Sequence, residues 1–407
     1  MTDHPHDTPS AHARRPPALG NRAPAGDRRR DRGAVKDLLV VTHTPVLRSG
    51  KAVRTYGIAR ALATHGELAL LYARFGAAEP DAAFRAIPGI ELHEVVPSRG
   101  AQRLMAYGAA RLSGVPDALA RGISPELTDG AKRLAYNPEI GRVIADGPIV
   151  AAALRGLARE RPVIYNAHNL ESGFRHDLDA SGLGSPRALQ RFERGLLERA
   201  AESWMVSEAD MRAARELCPT ARLRYVPNVV DVRAIRPVRE PAPQPNTIFV
   251  ANFAYEPNRN GLAFLLSEVF PRVWSQLPHA RLMLVGAGLD QPPSADPRVQ
   301  ALGFVDDLAG VYAHARVAVV PLLQGGGTPL KLIEALAYGL PVLATPRAVA
   351  GLDVHYGVDC LVAEGAEAFA HALIEILRDG APELGRRGRE LAEERYSIEA
   401  LSRLLAS

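Results

Sequence analysis

Residues 321–345 read PLLQGGGTPLKLIEALAYGLPVLAT: an apolar run, three glycines (Gly325, Gly326 and Gly327), then a helix-length apolar-periodic stretch. Glycine lets the backbone approach a ligand closely. The start of a helix offers unpaired N–H groups and a positive partial charge. Together these features suit a diphosphate. Pro329 fits a first helical turn. Thr328 can cap that helix or meet a phosphate oxygen. Lys331, one turn in, can add a cation to the same oxygens, and Glu334, three residues on and on the same face, can accept from ribose hydroxyls. The bland alternative is a glycine entry turn followed by a solvated Lys/Glu pair. Strand, glycines, Lys and Glu in this order favour the ligand-binding reading.

The N-terminal half offers a second set of groups. Ser49 and Gly50 lie in PVLRSGKAVR (45–54), just after the apolar run Leu38–Val41. A βα turn there lets a ligand reach a helix N-terminus. Arg54 either binds an anion or sits exposed on that helix. His168 closes PVIYNAH, and a residue just past the carboxyl end of a parallel strand points into the ligand crevice of an open sheet.

Other constellations carry less. Asp306 and Asp307 precede a helix, where aspartates act as N-caps more often than as metal ligands. Val285–Gly288 (VGAG) runs on to Pro292 and Pro293, which exclude the helix of a dinucleotide fingerprint. No Ser-His-Asp elbow and no nucleic-acid module is present. The two cysteines, Cys218 and Cys360, have no metal-ligand spacing, and the expectation is reduced thiols in a cytoplasmic protein.

These groups need strands and helices to hold them. From Lys36 on, short apolar runs alternate with amphipathic stretches. Strands are expected at 38–42, 67–72, 90–96, 142–146, 162–166, 203–207 and 223–227. Helices are expected at 54–65, near 101–113, at 126–135, 149–160, 185–201 and 208–217. Four prolines in residues 237–245 (PVREPAPQP) read as a stiff linker. Beyond it the alternation resumes, with strands at 247–250, 280–285, 299–302, 316–320, 341–344 and 360–362. Helices there fall at 260–276, 307–314, 330–338 and 369–378, and two more at 382–395 and 397–406 close the chain. This β-α alternation implies parallel sheets flanked by helices. The organisation expected is a tail (1–35), an N-terminal domain (36–235), a linker (236–246), a C-terminal domain (247–385) and final helices (386–407), for which a return to the N-terminal domain is one placement. Two such domains create a cleft at the facing carboxyl ends of their strands.

The chain has 407 residues with 47% hydrophobic and 23% charged, and a formal net charge of +4. Residues 1–35 hold seven arginines against four aspartates, net +3, which leaves only +1 on the other 372. The basicity therefore says little about a nucleic-acid surface on the folded part. The tail lacks apolar periodicity, is expected to be disordered, and has no apolar core of a secretory signal. Peripheral contact of this basic arm with a membrane or an acidic partner is the minor reading; an arm without such a partner is the main one. No run approaches the ~18 apolar residues of a membrane span.

The 321–345 segment resembles the donor-binding signature of glycosyltransferase family 4, a group of retaining enzymes of the GT-B fold. Other segments resemble the family in order: VSEAD (206–210), VPNVVD (226–231), NFAYEPNRNG (252–261), RLMLVG (281–286) and LGFVD (302–306). The similarity runs from about Leu38 to Tyr396 and is weakest over 75–140. It implies two Rossmann-like α/β domains facing each other across a cleft. It implies donor binding by Gly50, Asn252, Arg259, Phe304, Gly325, Gly326, Gly327, Thr328, Lys331 and Glu334, with His168, Lys331 and Glu334 as the catalytic set. Asn252 and Arg259 belong to the first loop of the C-terminal domain, where Arg259 stands in for a diphosphate-binding cation, and Phe304 lies in the base-binding turn. Glu334 matches the second motif glutamate, expected on the ribose. The first would lie eight residues earlier, where this chain has Gly326, so a carboxylate used on sugar hydroxyls is absent. His168 matches the active-site histidine near the transferred sugar. It is not the general base, because in retaining members the leaving phosphate takes the acceptor proton.

The implied reaction is transfer of a sugar from a nucleotide-diphosphate donor to a hydroxyl of a saccharide, lipid-linked or small acceptor, with no metal or other cofactor and no nucleic acid. Rival readings are an epimerase or hydrolase on the same fold, a non-catalytic nucleotide-sugar-binding protein, and an anion-binding adaptor acting through the tail.

Overall fold

The computed structural model describes residues 36–406 except Arg48, Arg99, Glu171, 173–184, Pro241, Asp290, Gly326 and Gly327. The 1–35 tail and two of the three loop glycines therefore lie outside the described residues.

Among the described residues two parallel sheets form. The first orders its strands β3-β2-β1-β4-β5-β6-β7, from β1 (Lys36–Val41), β2 (Leu68–Ala73), β3 (Ile90–Val95), β4 (Ile140–Asp146), β5 (Val163–Asn166), β6 (Glu202–Met205) and β7 (Leu223–Tyr225). The second orders β10-β9-β8-β11-β12-β13, from β8 (Asn246–Val250), β9 (Arg281–Val285), β10 (Val299–Gly303), β11 (Val317–Val320), β12 (Val342–Ala344) and β13 (Leu361–Val362). Every pairing is parallel. In both, the strand order reverses beside the first strand, between β1 and β4 and between β8 and β11. Those are the points where open α/β sheets bind ligands.

The helices of the first half are α1 (Gly50–Ala63), α2 (Ala82–Arg85), α3 (Ala101–Leu112), α4 (Asp117–Ala120), α5 (Pro125–Ala135), α6 (Gly147–Ala153), α7 (Pro186–Arg199) and α8 (Glu208–Leu217). Those of the second are α9 (Glu256–Phe264), α10 (Phe270–Gln276), α11 (Leu308–Ala313), α12 (Leu330–Ala337), α13 (Pro346–Val349), α14 (Ala366–Asp379), α15 (Pro382–Arg395) and α16 (Ile398–Ala406).

Several boundaries differ from the periodicity reading. α1 begins four residues earlier than Arg54, because Ser49 caps it by accepting from the Ala52 amide at 3.3 Å. The stretch 149–160 is α6 followed by a 3₁₀ turn at Leu157–Arg159. The expected 260–276 helix starts at Glu256 and is interrupted by a π turn at Leu265–Val269.

Strand residues alternate between faces, so each sheet feeds two cores. Leu39 and Val41 pack with Ile58, Leu62 and Trp204, whereas Leu38 and Val40 pack with Leu127, Ala131 and Val150. In the second sheet Ile248 packs with Leu332, Leu336 and Tyr396, and Phe249 with Phe264, Phe270 and Phe369. Both faces being covered explains the near-continuous apolar strands. The Pro-rich segment runs along the C-terminal domain, with the Val238 amide donating to Tyr338 O and that of Ala242 to Ala315 O. α16 lies on α1 of the other domain, burying Ile398, Leu401 and Leu405 beside Ile58 and Leu62.

Candidate functional site

Three helix N-termini converge between the two sheets. α12 follows β11 and α9 follows β8, on either side of the second switch point. α1 follows β1 at the first. Neither α9 nor α12 has a side-chain cap. The Leu332 amide already donates to Pro329 O (2.9 Å), that of Asn258 to Tyr255 O (3.0 Å), and Pro257 has none. The first-turn amides that remain for a ligand or water are therefore those of Leu330 and Lys331 in α12 and Glu256 in α9. A Cβ placed on Gly50 would lie 3.5 Å from Leu330 Cδ1, so the start of α1 faces the start of α12. Gly50 is the first residue of α1 rather than part of a flexible turn; what its position requires is small size. Gly325 is in the left-handed region at φ 101°, a conformation other residues rarely adopt. A Cβ there would lie 3.5 Å from Tyr255 Oη and Pro257 Cγ, against the start of α9.

Lys331 reaches across this gap. Its Nζ donates to Asn258 Oδ1 and stands 5.6 Å from the Phe249 ring centre. Burial pulls its ammonium down to about 8. Asn258 is buried and in turn donates through Nδ2 to Asn252 O at 2.7 Å. Glu334 lies beside Tyr312 and Tyr338, and burial pushes its carboxyl up to about 7. The two rings stack at 3.9 Å. An ammonium and a carboxyl group, each held near neutrality on one helix face, are poised to respond to an anionic ligand.

Other expected donor contacts are placed differently. Arg259 is not in a loop but in α9, and its Nη1 donates to Phe253 O at 3.3 Å and Ala254 O at 2.6 Å. Its charge is engaged by the 252–255 turn, so of Arg259 and Lys331 it is Lys331 that reaches into the gap. Thr328 does not cap α12, whose N-cap position is Pro329. Its Oγ1 instead accepts from Asn228 Nδ2 at 2.8 Å, and its carbonyl from the same nitrogen at 3.0 Å. Asn252 is exposed, with its Oδ1 accepting from the Ala254 amide at 3.0 Å. Phe304 is 71% exposed just after β10. Asp307 caps α11, accepting from the Ala309 amide at 3.0 Å. Gly326 and Gly327 are outside the described residues.

On the N-terminal side His168 Nε2 is 3.0 Å from Asp146 Oδ1. The ring stands over Gly147, where a Cβ would come within 3.0 Å of Cε1. Asp146 ends β4 and its side chain is fully buried. It accepts from Thr55 Oγ1 and Asn166 Nδ2, each at 2.6 Å. Burial alone would raise its carboxyl, but the charge and hydrogen bond of His168, the Thr55 bond and the charge of Arg54 outweigh it and hold the group at about 2.

Arg54 is neither exposed nor free for an anion, as it is 3% exposed. It donates to Asn166 Oδ1 (2.6 Å), Val226 O (3.0 Å) and Asn228 Oδ1 (3.1 Å). A continuous chain of hydrogen bonds therefore runs from His168 through Asp146, Asn166, Arg54 and Asn228 to Thr328, at the entry to α12. His43, just past β1, completes the group. Burial lowers its imidazole, against the pull of Asp146, and its Nε2 has no partner among the described residues.

Sequence reasoning found His168 but missed Asp146, Thr55, Asn166 and Asn228. Asp146 carried a usable signal, since it is a charged residue at the carboxyl end of the strand IGRVIAD, after the apolar run Val143–Ala145, close to the kind of position that singled out His168. No group of three or more His, Cys, Asp or Glu among the described residues could hold a metal ion, and no described helix is long and apolar enough to cross a membrane.

Residues 244–379 match the family model described as glycosyl transferases group 1. A curated relative, the uncharacterized 44.6 kDa protein in the cps region of Klebsiella pneumoniae, is 23% identical over 166 residues. The match spans 37% of this chain and 42% of that relative's length. Among solved structures the chain is similar to sucrose-phosphate synthase of Thermosynechococcus elongatus (19% identity, 91% of this chain and 97% of the other, TM-score 0.71). It is also similar to Anabaena HepE in complex with UDP and glucose (15% identity, 91% and 98%, TM-score 0.64). The fold is thus α/β with two Rossmann-like domains, as in GT-B glycosyltransferases, and the C-terminal domain carries the group 1 sequence pattern.

Proposed function

We propose that this protein is a glycosyltransferase of the family 4 type, which moves a sugar from a nucleotide diphosphate to an acceptor hydroxyl with retention at the anomeric carbon. The observation that carries the reading is the meeting of the α9 and α12 N-termini, with Lys331 between them, opposite the His168–Asp146 pair. One side suits a diphosphate; the other offers a fixed imidazole to a sugar.

In this mechanism the diphosphate lies against the first-turn amides of α12, with Lys331 and the α1 entry beside it. Glu334 accepts from the ribose, and the base lies toward Phe304. The bond from the anomeric carbon to the diphosphate oxygen breaks as charge grows on that oxygen. Preorganised amides and the Lys331 ammonium stabilise this charge, a task that needs no bound metal. The acceptor oxygen bonds to the same face of the anomeric carbon, and its proton passes to the departing phosphate oxygen. Asp146 acts through His168, fixing the tautomer and direction of the ring next to the sugar. Closure of the domains limits loss of donor to water.

A UDP-sugar is the first donor to test, since the related HepE structures hold UDP or UDP-glucose. The proposed setting is carbohydrate biosynthesis in the cytoplasm. The test is a thermal-stability screen with UDP-, GDP-, ADP- and dTDP-sugars, followed by product analysis with the best one. At a hundredfold excess over Kd, binding stabilises by about 2.7 kcal/mol, a readable shift. The expected result is stabilisation by one donor class and sugar transfer to an added hydroxyl acceptor. Stabilisation by none refutes the site. Donor consumption without any acceptor product replaces the transferase with a hydrolase or epimerase.

A further inference from the structure

The 44-residue connection from β3 to β4 contains more than the crossover it needs. α5 alone packs on the sheet, burying Leu127, Ala131 and Ala135. α3 and α4 are added at the carboxyl end of β3 and bury one residue each, Ala110 and Ala120. Ala101, Leu104, Met105, Gly108 and Leu112, three and four apart, fall within about 100° of one face of α3. That face is the outward one. Leu104 is 70%, Met105 65% and Leu112 92% exposed. Nearby loop residues Phe75 and Val96 are exposed as well. α3 therefore turns its apolar stripe to the outside, the reverse of an ordinary surface helix, and such a patch marks an interaction surface.

The charge around it defines the occupant. Residues 97–123 hold four arginines (99, 103, 111 and 121) and one acidic residue, Asp117, for a net +3, while the rest of 36–407 nets −2. Arg103 stacks on Phe75 at 5.1 Å and donates to Arg121 O. Arg111 and Arg121 share Asp117. Arg103, Arg121, Gly100, Leu104, Tyr107 and Ile123 line a groove of 480 Å³. Pairing with a second copy of the chain through this face would set these arginines against themselves. An apolar stripe bordered by arginines matches the boundary between acyl chains and anionic headgroups. We infer that α3, with the tips after β2 and β3, docks the protein on an anionic lipid bilayer.

The test is sedimentation of the full-length protein with vesicles of phosphatidylcholine containing 40 mol% phosphatidylglycerol, at two salt concentrations. The expected result is salt-sensitive binding that falls at least tenfold in Leu104→Gln/Met105→Gln/Leu112→Gln. Binding should also weaken about fivefold for each of Arg103→Gln and Arg111→Gln, given roughly 1 kcal/mol per basic residue at an anionic surface. The three apolar positions are exposed, so an unchanged melting temperature shows that the variant is folded, and the Arg-rich residues 1–35 are the same in every variant. No binding by the wild type, or equal binding by the triple variant, overturns the inference. A dimer in equilibrium sedimentation that the triple variant dissolves overturns it in favour of a second copy.

Discussion

Raising the pH from 7 to 9 discharges Lys331, the buried cation in the first turn of α12, and nucleotide affinity is expected to follow it. Burial holds Lys331 at about 8 in the free protein. Its ammonium is therefore about 90% populated at pH 7 and about 10% at pH 9. A bound diphosphate provides the opposite charge that burial withheld and raises the pKa again, so binding takes up a proton. If the diphosphate requires the ammonium, affinity for UDP falls about tenfold across these two pH units, or about 1.4 kcal/mol. Calorimetry at pH 8 in buffers of different ionisation enthalpy should show uptake of about half a proton. Lys331→Arg keeps its charge throughout and should bind with no such pH dependence. Lys331→Met should bind about tenfold or more weakly at pH 7 and also lose the dependence. Titration of the nucleotide itself is common to all three proteins, so the differences isolate residue 331. A wild-type affinity that is flat from pH 7 to 9, or a fall of equal size in Lys331→Met, refutes the placement of Lys331 on the diphosphate.

Other outcomes are set by the packing around the site. Asp146 is held at about 2, against 3.8 for a free group, so the stability it contributes is present above pH 4 and lost as the pH falls toward 2. Asp146→Asn should cost roughly 2 kcal/mol at pH 7, and the difference in urea unfolding should shrink by pH 3. Equal stability of the two proteins at pH 7 would contradict the network. A Cβ on Gly261 of α9 would lie 2.5 Å from Pro321 O. Gly261→Ala should therefore displace α9, lowering stability by about 1–3 kcal/mol and weakening UDP binding through Asn258. Gly310→Ala, with open space around it in α11, should instead gain about 0.5–1 kcal/mol.

The alternation of apolar runs with amphipathic stretches was enough to read both parallel sheets and most of their helices. Pattern alone also marked the 325–334 segment and His168, because glycines, a lysine and a glutamate in fixed order, or a polar residue at the end of an apolar strand, are local signals. Helix starts were less legible. Ser49 and Tyr255 begin α1 and α9 several residues before the apolar period becomes visible. That shift moved Arg259 from a free loop into a helix, from which its guanidinium folds back onto the Phe253 and Ala254 carbonyls of the preceding turn.

What only the tertiary structure decided is which polar groups meet. Arg54 looked like a surface or anion-binding residue on α1, yet its partners lie 112, 172 and 174 residues away. Thr328 looked like a cap, yet it is held by Asn228, 100 residues earlier. Hydrophobic periodicity reports one element's own faces and carries nothing about which distant strand end lies beside it. Buried charges and amides must be satisfied by whatever neighbours the chain topology brings, and that requirement is visible only once both switch points face each other.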